Sequence, residues 1–226
     1  MLNGGWWVHE AYYDGGAVLL GSWVFWVIFS ITLHELGHGW AAIWQGDDTP
    51  RETGHMSWNP MVHMGPWSLA MFAIIGIAWG LMPTDPSRYR WGRKGRVVVA
   101  LAGPLVNVVL AVLALTALAF WVRFGTEGSV FDERLHVFLL TGGILNIFLA
   151  GFNLIPAPPL DGSQVLMGLS DRFYQWFHNP QVQQYAFFAI IALFFILNLG
   201  TIGFMLSSEA SKGYVRALSW LLGASA

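Results

Sequence analysis

GGAVLLGSWVFWVIFSITLHELGHGWAAIWQG, residues 15–46, carries a single charge, Glu35, in a run long enough to cross a bilayer. A hydrocarbon core needs about 20 apolar residues of helix. The lone carboxylate lies between two histidines, in His34-Glu35-Leu36-Gly37-His38. Residues i and i+4 share a helix face, so both imidazoles can reach one ion. Glu35 adjoins the first of them, where it can hold and deprotonate a water at that ion. A carboxylate at the centre of a spanning helix costs roughly 2.5–3.5 kcal/mol on insertion scales, and such residues are functional by default. The simpler alternative is a polar cluster that glues two helices together.

Composition agrees with a membrane setting. Apolar residues make up 55% of the 226 and charged residues only 11%, against about 25% in soluble domains. Thirteen Trp and sixteen Phe suit lipid–water boundaries, where aromatic rings gather. A net charge of −2 gives a nucleic-acid partner no electrostatic support. The absence of Cys excludes disulfides and leaves His and carboxylates as the available zinc ligands. The start, MLNGGWWVHEAYYDGG, has Glu10 and Asp14 but no basic residue, so it does not follow the order of a secretory signal.

Further charge-free runs extend over 97–122, 135–160 and 173–208. The expected architecture is an all-α polytopic membrane protein of about four to six transmembrane helices, with spans near 17–44, 97–122, 136–156 and 185–206. One membrane-embedded domain would cover residues 1–226, its core at about 17–170 and C-terminal helices at about 185–222. PWSLAMFAIIGIAWGLM, 66–82, is apolar but short; the preferred reading is a re-entrant segment after the first helix, which is tolerated only where protein or water covers its backbone. TPRETGHMSWNP, 49–60, reads as an extended turn or small hairpin. Lys212–Leu222 has the spacing of a short interfacial helix. Arg88, Arg90, Arg93, Lys94 and Arg96 precede the helix at 97–122, which places that loop in the cytoplasm by the positive-inside rule.

Two imidazoles do not complete a catalytic zinc site, which usually has three protein ligands and an open position. A further His or carboxylate is required, and few are embedded in the membrane. Asp161 is one, in Asn153-Leu-Ile-Pro-Ala-Pro-Pro-Leu-Asp161-Gly162. Prolines there break the preceding helix and free backbone groups, and Gly162 permits a tight turn beside the carboxylate. Alone, Pro-Leu-Asp-Gly is equally an ordinary interfacial turn.

Together these stretches resemble the site-2 protease family of intramembrane metalloproteases. HELGH at 34–38 and NLIPAPPLDG at 153–162 carry the resemblance. WNPMVHMGP at 58–66 and ALAGPLVN at 100–107 are similar to elements of its compact, prokaryotic-type branch. The resemblance implies Zn2+ held by His34, His38 and Asp161, with Glu35 as the base. It implies hydrolysis of peptide bonds in transmembrane protein substrates, at a site within the bilayer near the cytosolic face, in the plasma membrane of a prokaryotic source. It also makes Asn153 a candidate to hold substrate or the developing oxyanion, beside the simpler reading of a helix-terminal hydrogen bond. The chain departs from the family at His63-Met64-Gly65-Pro66, where an acidic residue is usual, and at Met82-Pro-Thr-Asp-Pro86. His63 is expected to have a structural or gating role. Asn107, beside Gly103 and Pro104, is expected to bond across closely packed helices. A zinc transporter and a proteolytically inactive helix-binding relative are the competing functions. The compact ligand set and the chain break beside Asp161 favour hydrolysis.

Overall fold

The structure, a computed structural model, describes residues 7–126, 128–196 and 199–223. Among these the secondary structure is helical: α1 (Trp7–Trp44), α2 (Thr49–Glu52), α3 (Pro60–Ile75), α4 (Arg93–Phe124), α5 (Val130–Asn153), α6 (Asp161–Leu169), α7 (Asp171–Phe177), α8 (Pro180–Ile196) and α9 (Leu199–Leu221). α1, α4 and α5 are each long and apolar enough to span a membrane. The protein is an integral, multi-pass membrane protein, as its charge-free runs predict.

The three long helices pack on one another through small residues, which let helix backbones approach closely. Gly142 on α5 lies under the indole of Trp26, where a β-carbon would stand 2.2 Å from Cε2; its neighbour Gly143 receives Leu115 of α4 in the same way, at 2.2 Å from Cδ2. The Trp26 indole N–H donates to the Phe138 carbonyl at 2.8 Å, so the ring is satisfied within a core shared by Val27, Ile31, Met64, Phe72, Ala114 and Leu145. α1 is interrupted at Gly15 and Gly16, the latter at φ 66°, a left-handed conformation that glycine adopts without a Cβ penalty.

The segment between α1 and α4 enters the bundle and returns. Asn59 caps α3, its side chain accepting from the Met61 N–H. The helix ends at Gly76, φ 78°, and the chain then runs back without regular secondary structure. On the return path the Ser68 hydroxyl bridges the N–H and C=O of Trp79, and the Leu81 N–H donates to the His63 carbonyl at 2.9 Å. The Asp85 N–H reaches Asp47 just beyond the end of α1, at 2.7 Å from Oδ2. Both ends of the excursion therefore lie at the same end of α1, as a re-entrant segment requires.

Two local expectations change. Residues 49–60 form the short helix α2 and turns instead of a hairpin, because Asp47 and Asp48 supply acceptors to the backbone that follows them. Over the span expected at 185–206 the described residues are helical, in α8 and α9, with residues 197 and 198 outside those described. Lys212–Leu222 is not a separate interfacial helix but lies largely in the C-terminal half of α9. There α9 runs beside α4: the hydroxyls of Thr116 and Tyr214 are 2.8 Å apart, and the Arg123 Nε–H donates to the Leu222 carbonyl at 3.0 Å. These polar contacts with a neighbouring helix stabilise a longer, continuous α9.

Candidate active site

The site forms where α1 crosses α4 and the end of α5 turns into α6. The α1–α4 crossing is close because Gly37 faces the backbone of α4, where an added β-carbon would meet the Ala102 carbonyl oxygen at 3.0 Å. The next residue of α4, Gly103, faces both imidazoles: a β-carbon there would stand 2.4 Å from His38 Nε2 and 2.6 Å from His34 Nε2. The missing side chain is thus the space in which the two rings converge. Pro104, next in sequence, lacks the N–H that would bond the carbonyl four residues back and crowds that turn. In this loosened stretch the Val99 carbonyl is 2.7 Å from His38 Nδ1.

Asp161 arrives from the other side. It begins α6, and Gly162 fits against the end of α5 so closely that a β-carbon would stand 2.2 Å from the Leu154 carbonyl oxygen. α6 in turn packs on α4, with Gly168 against Val97 and the Arg93 carbonyl. Arg96 donates to Gln164 at 2.9 Å, and Arg93 pairs with Asp171. These contacts bring the carboxylate to the paired histidines. His34 Nε2 is 3.1 Å from Asp161 Oδ2, His38 Nε2 is 3.3 Å from Oδ1, and the two Nε2 atoms are 3.0 Å apart. Among the described residues, His34, His38 and Asp161 are the one group of His and carboxylate side chains close enough to share an ion.

These donors suit a divalent metal. Both Nδ1 atoms face oxygen acceptors, Asn107 Oδ1 at 2.6 Å for His34 and the Val99 carbonyl at 2.7 Å for His38. A ring nitrogen that faces an acceptor carries the proton, so both Nε2 atoms present lone pairs to each other and to a carboxylate. Three electron-pair donors turned toward one point repel unless a cation lies among them. Asp161 Oδ2 is buried without a hydrogen-bond donor. Zinc–nitrogen bonds of 2.0–2.1 Å in a tetrahedron imply ligand-to-ligand edges of about 3.3 Å, close to the three separations present.

Glu35 is buried beside this cluster, and its carboxylate accepts no hydrogen bond from the described residues. It faces the returning segment at Gly80, where a β-carbon would lie 2.4 Å from Oε1. His63 is buried outside the ligand group, with Nε2 donating to the Ser57 carbonyl at 2.7 Å; this bond fits the structural side of the structural or gating role expected of it. Asn153 donates through Nδ2 to the Leu149 carbonyl at 3.0 Å, one turn back in α5. That is the helix-terminal bond, and it leaves the second amide hydrogen uncommitted. Asn107 bonds across helices as expected, but one of its partners is the candidate ligand His34. Two contributors were not anticipated. Gly80 gives no signal in a sequence, while Asn146, an amide within an apolar span, could have been noticed on the same grounds as Asn107.

The model for peptidase family M50 matches residues 22–130 and 122–197. The chain belongs to peptidase family M50. This bears out the resemblance carried by HELGH and NLIPAPPLDG. Among relatives of this M50 chain, YwhC of Bacillus subtilis (strain 168), named as a candidate zinc metalloprotease, is 31% identical over 74% of this chain and 77% of its own length. Zinc metalloprotease MJ0392 of Methanocaldococcus jannaschii is 25% identical over 74% of this chain, which spans only 41% of that longer protein. Rip2 of Mycolicibacterium smegmatis, also named as a candidate zinc metalloprotease, is 31% identical over 60% of this chain and 52% of its own length. A solved structure titled site-2 protease from Methanocaldococcus jannaschii aligns with 94% of this chain and 84% of its own, at 19% identity and a TM-score of 0.47.

Proposed function

We propose that His34, His38 and Asp161 hold the zinc of this enzyme and that Glu35 is its catalytic base. The protein is an intramembrane zinc metalloprotease, and zinc is its cofactor. The observation that carries the residue assignment is the convergence of two Nε2 lone pairs and a carboxylate oxygen beside a buried glutamate. Zinc bound there supplies Lewis acidity, polarising a peptide carbonyl and lowering the pKa of water.

The protein's own residues do the rest. Glu35 takes a proton from the attacking water and returns it to the leaving amine. Gly80 holds the Glu35 carboxylate in place by close packing. Asn153 offers its second amide hydrogen to the oxyanion that forms at the scissile carbonyl. In our reading the substrate is a transmembrane protein whose helix unwinds locally, since a helix keeps its carbonyls in internal hydrogen bonds. The segment that returns past Glu35 suits an unwound peptide better than residues 49–60 do. The N–H groups of Gly80 and Met82 have no hydrogen-bond partner among the described residues, so this segment can accept a peptide by strand pairing.

The cluster of Arg88, Arg90, Arg93, Lys94 and Arg96 at this end of α4 supports a cytosolic orientation of the site, in a plasma membrane. The packing of α9 on α4 and α5 supports treating the C-terminal helices as part of the same protease domain. The test is mass spectrometry of transmembrane substrates in proteoliposomes with the wild type and with Glu35→Gln. New termini within a spanning segment are expected with the wild type only. Equal cleavage by Glu35→Gln would remove Glu35 from the mechanism, and zinc flux without cleavage would replace proteolysis by transport.

A further inference from the structure

Two asparagines lie fully buried inside the spanning helices, Asn107 on α4 and Asn146 on α5. An amide in an apolar helix is unfavourable unless its polar atoms are paired, and these two are paired in a line. His34 Nδ1 is 2.6 Å from Asn107 Oδ1, Asn107 Nδ2 is 2.9 Å from Asn146 Oδ1, and Asn146 Nδ2 is 2.9 Å from the Gly142 carbonyl oxygen. The chain of bonds runs from a candidate zinc ligand on α1 through α4 to the main chain of α5.

We propose that Asn107 and Asn146 form a one-way hydrogen-bond relay that holds His34 in the tautomer able to bind the ion, with Asn107 as the positioning residue and the Gly142 carbonyl setting the direction. A carbonyl oxygen can only accept, so Asn146 must present its NH2 to Gly142 and its oxygen to Asn107. Asn107 must then present NH2 to Asn146 and oxygen to His34. His34 answers with Nδ1–H, which leaves Nε2 as a lone pair facing His38 and Asp161. Reversing the Asn107 amide would set two amide oxygens against each other and would draw the ring proton to Nε2, where it blocks the metal. The relay also explains why α5, which supplies no ligand within its own length, meets α4 so closely at Gly143. The inference rests on His34 being a ligand.

The test is the zinc dissociation constant of detergent-solubilised protein, measured by competition with a chromophoric chelator, together with ring 15N shifts of His34 in the metal-free protein. Asn107→Leu removes the acceptor and should weaken zinc binding about 10–100-fold, the usual effect of losing a partner of a ligating histidine. Asn107→Asp is isosteric and, as the neutral acid, keeps both an O–H donor for Asn146 Oδ1 and an acceptor for Nδ1–H, so it should recover most of that loss. Asn146→Leu touches no ligand, yet should weaken zinc binding and move His34 toward the Nε2-protonated tautomer. Wild-type affinity in Asn107→Leu would overturn the proposal. So would equal loss in Asn107→Asp and Asn107→Leu, since that indicates packing alone. An unchanged affinity and tautomer in Asn146→Leu would overturn the relay even if Asn107→Leu does not fold. Failure of the underlying assignment registers differently, as a wild type that takes up no zinc.

Discussion

The main chain of Gly80 lies against the carboxylate of Glu35, so closely that a β-carbon at that position would stand 2.4 Å from Oε1 and 2.5 Å from Cγ. The glycine belongs to the segment that returns from the re-entrant helix, and the glutamate to the first spanning helix. The proposed base is thus held by a segment from outside the spanning helices. Gly80→Ala should displace the carboxylate without touching a zinc ligand. Misplacing a catalytic group by about 1 Å can lower the rate about 100-fold. The expected result is kcat reduced by one to two orders of magnitude with zinc content unchanged. A wild-type kcat would show that Glu35 needs no such support.

Gly103 makes room for the two imidazoles, since a β-carbon would lie 2.4 Å from His38 Nε2. Both rings are held at Nδ1 by oxygen acceptors and have little freedom to retreat. Gly103→Ala should purify with much less zinc, as measured by atomic emission, while the helical circular-dichroism signal is retained. Full zinc content in this variant would place the ion away from α4.

Chelation should reversibly inactivate the wild type. Removal of zinc leaves His34 Nε2, His38 Nε2 and Asp161 oxygens within 3.3 Å of one another with no cation among them. Activity should return on adding Zn2+ and should not return on adding Mg2+, which prefers an octahedral oxygen shell. Asp161→Ala should retain little zinc under the same conditions. Zinc retained at full occupancy in Asp161→Ala would require another third ligand.

The re-entrant course of residues 60–85 predicts that Ser57 and Arg90 lie on the same side of the membrane. The chain has no cysteine, so Ser57→Cys and Arg90→Cys each give a single labelling site. Both should react with an impermeant maleimide from the same face of oriented vesicles. Reaction from opposite faces would mean that the segment crosses the bilayer.

Asp47 closes the same excursion at its base. It is fully buried and accepts from the N–H and hydroxyl of Thr49 and from the N–H of Asp85. Asp47→Ala leaves partly buried N–H groups without an acceptor, each a loss of up to about 1–3 kcal/mol. The expected outcome is a lower thermal midpoint and faster proteolysis within residues 76–92. Unchanged protease resistance there would show that the returning segment is held by its contacts with α3 alone.

The membrane helices and the candidate site residues were legible in the chain because both leave one-dimensional marks. A spanning helix satisfies its backbone within itself, so charge-free runs of bilayer length identify α1, α4 and α5. A carboxylate and two histidines at i and i+4 inside such a run are too unfavourable there to lack a role, which singled out His34, Glu35 and His38. Asp161 needed more, since nothing local separates it from an ordinary turn residue; the match of NLIPAPPLDG to a known pattern supplied it. Tertiary packing decided the rest. That Gly103 is the space for two rings, that Gly80 backs the glutamate, and that Asn146 bonds Asn107 are facts about atoms brought together from distant parts of the chain. Periodicity and charge report what one segment exchanges with lipid and water, whereas the orientation of a ligand depends on contacts between segments.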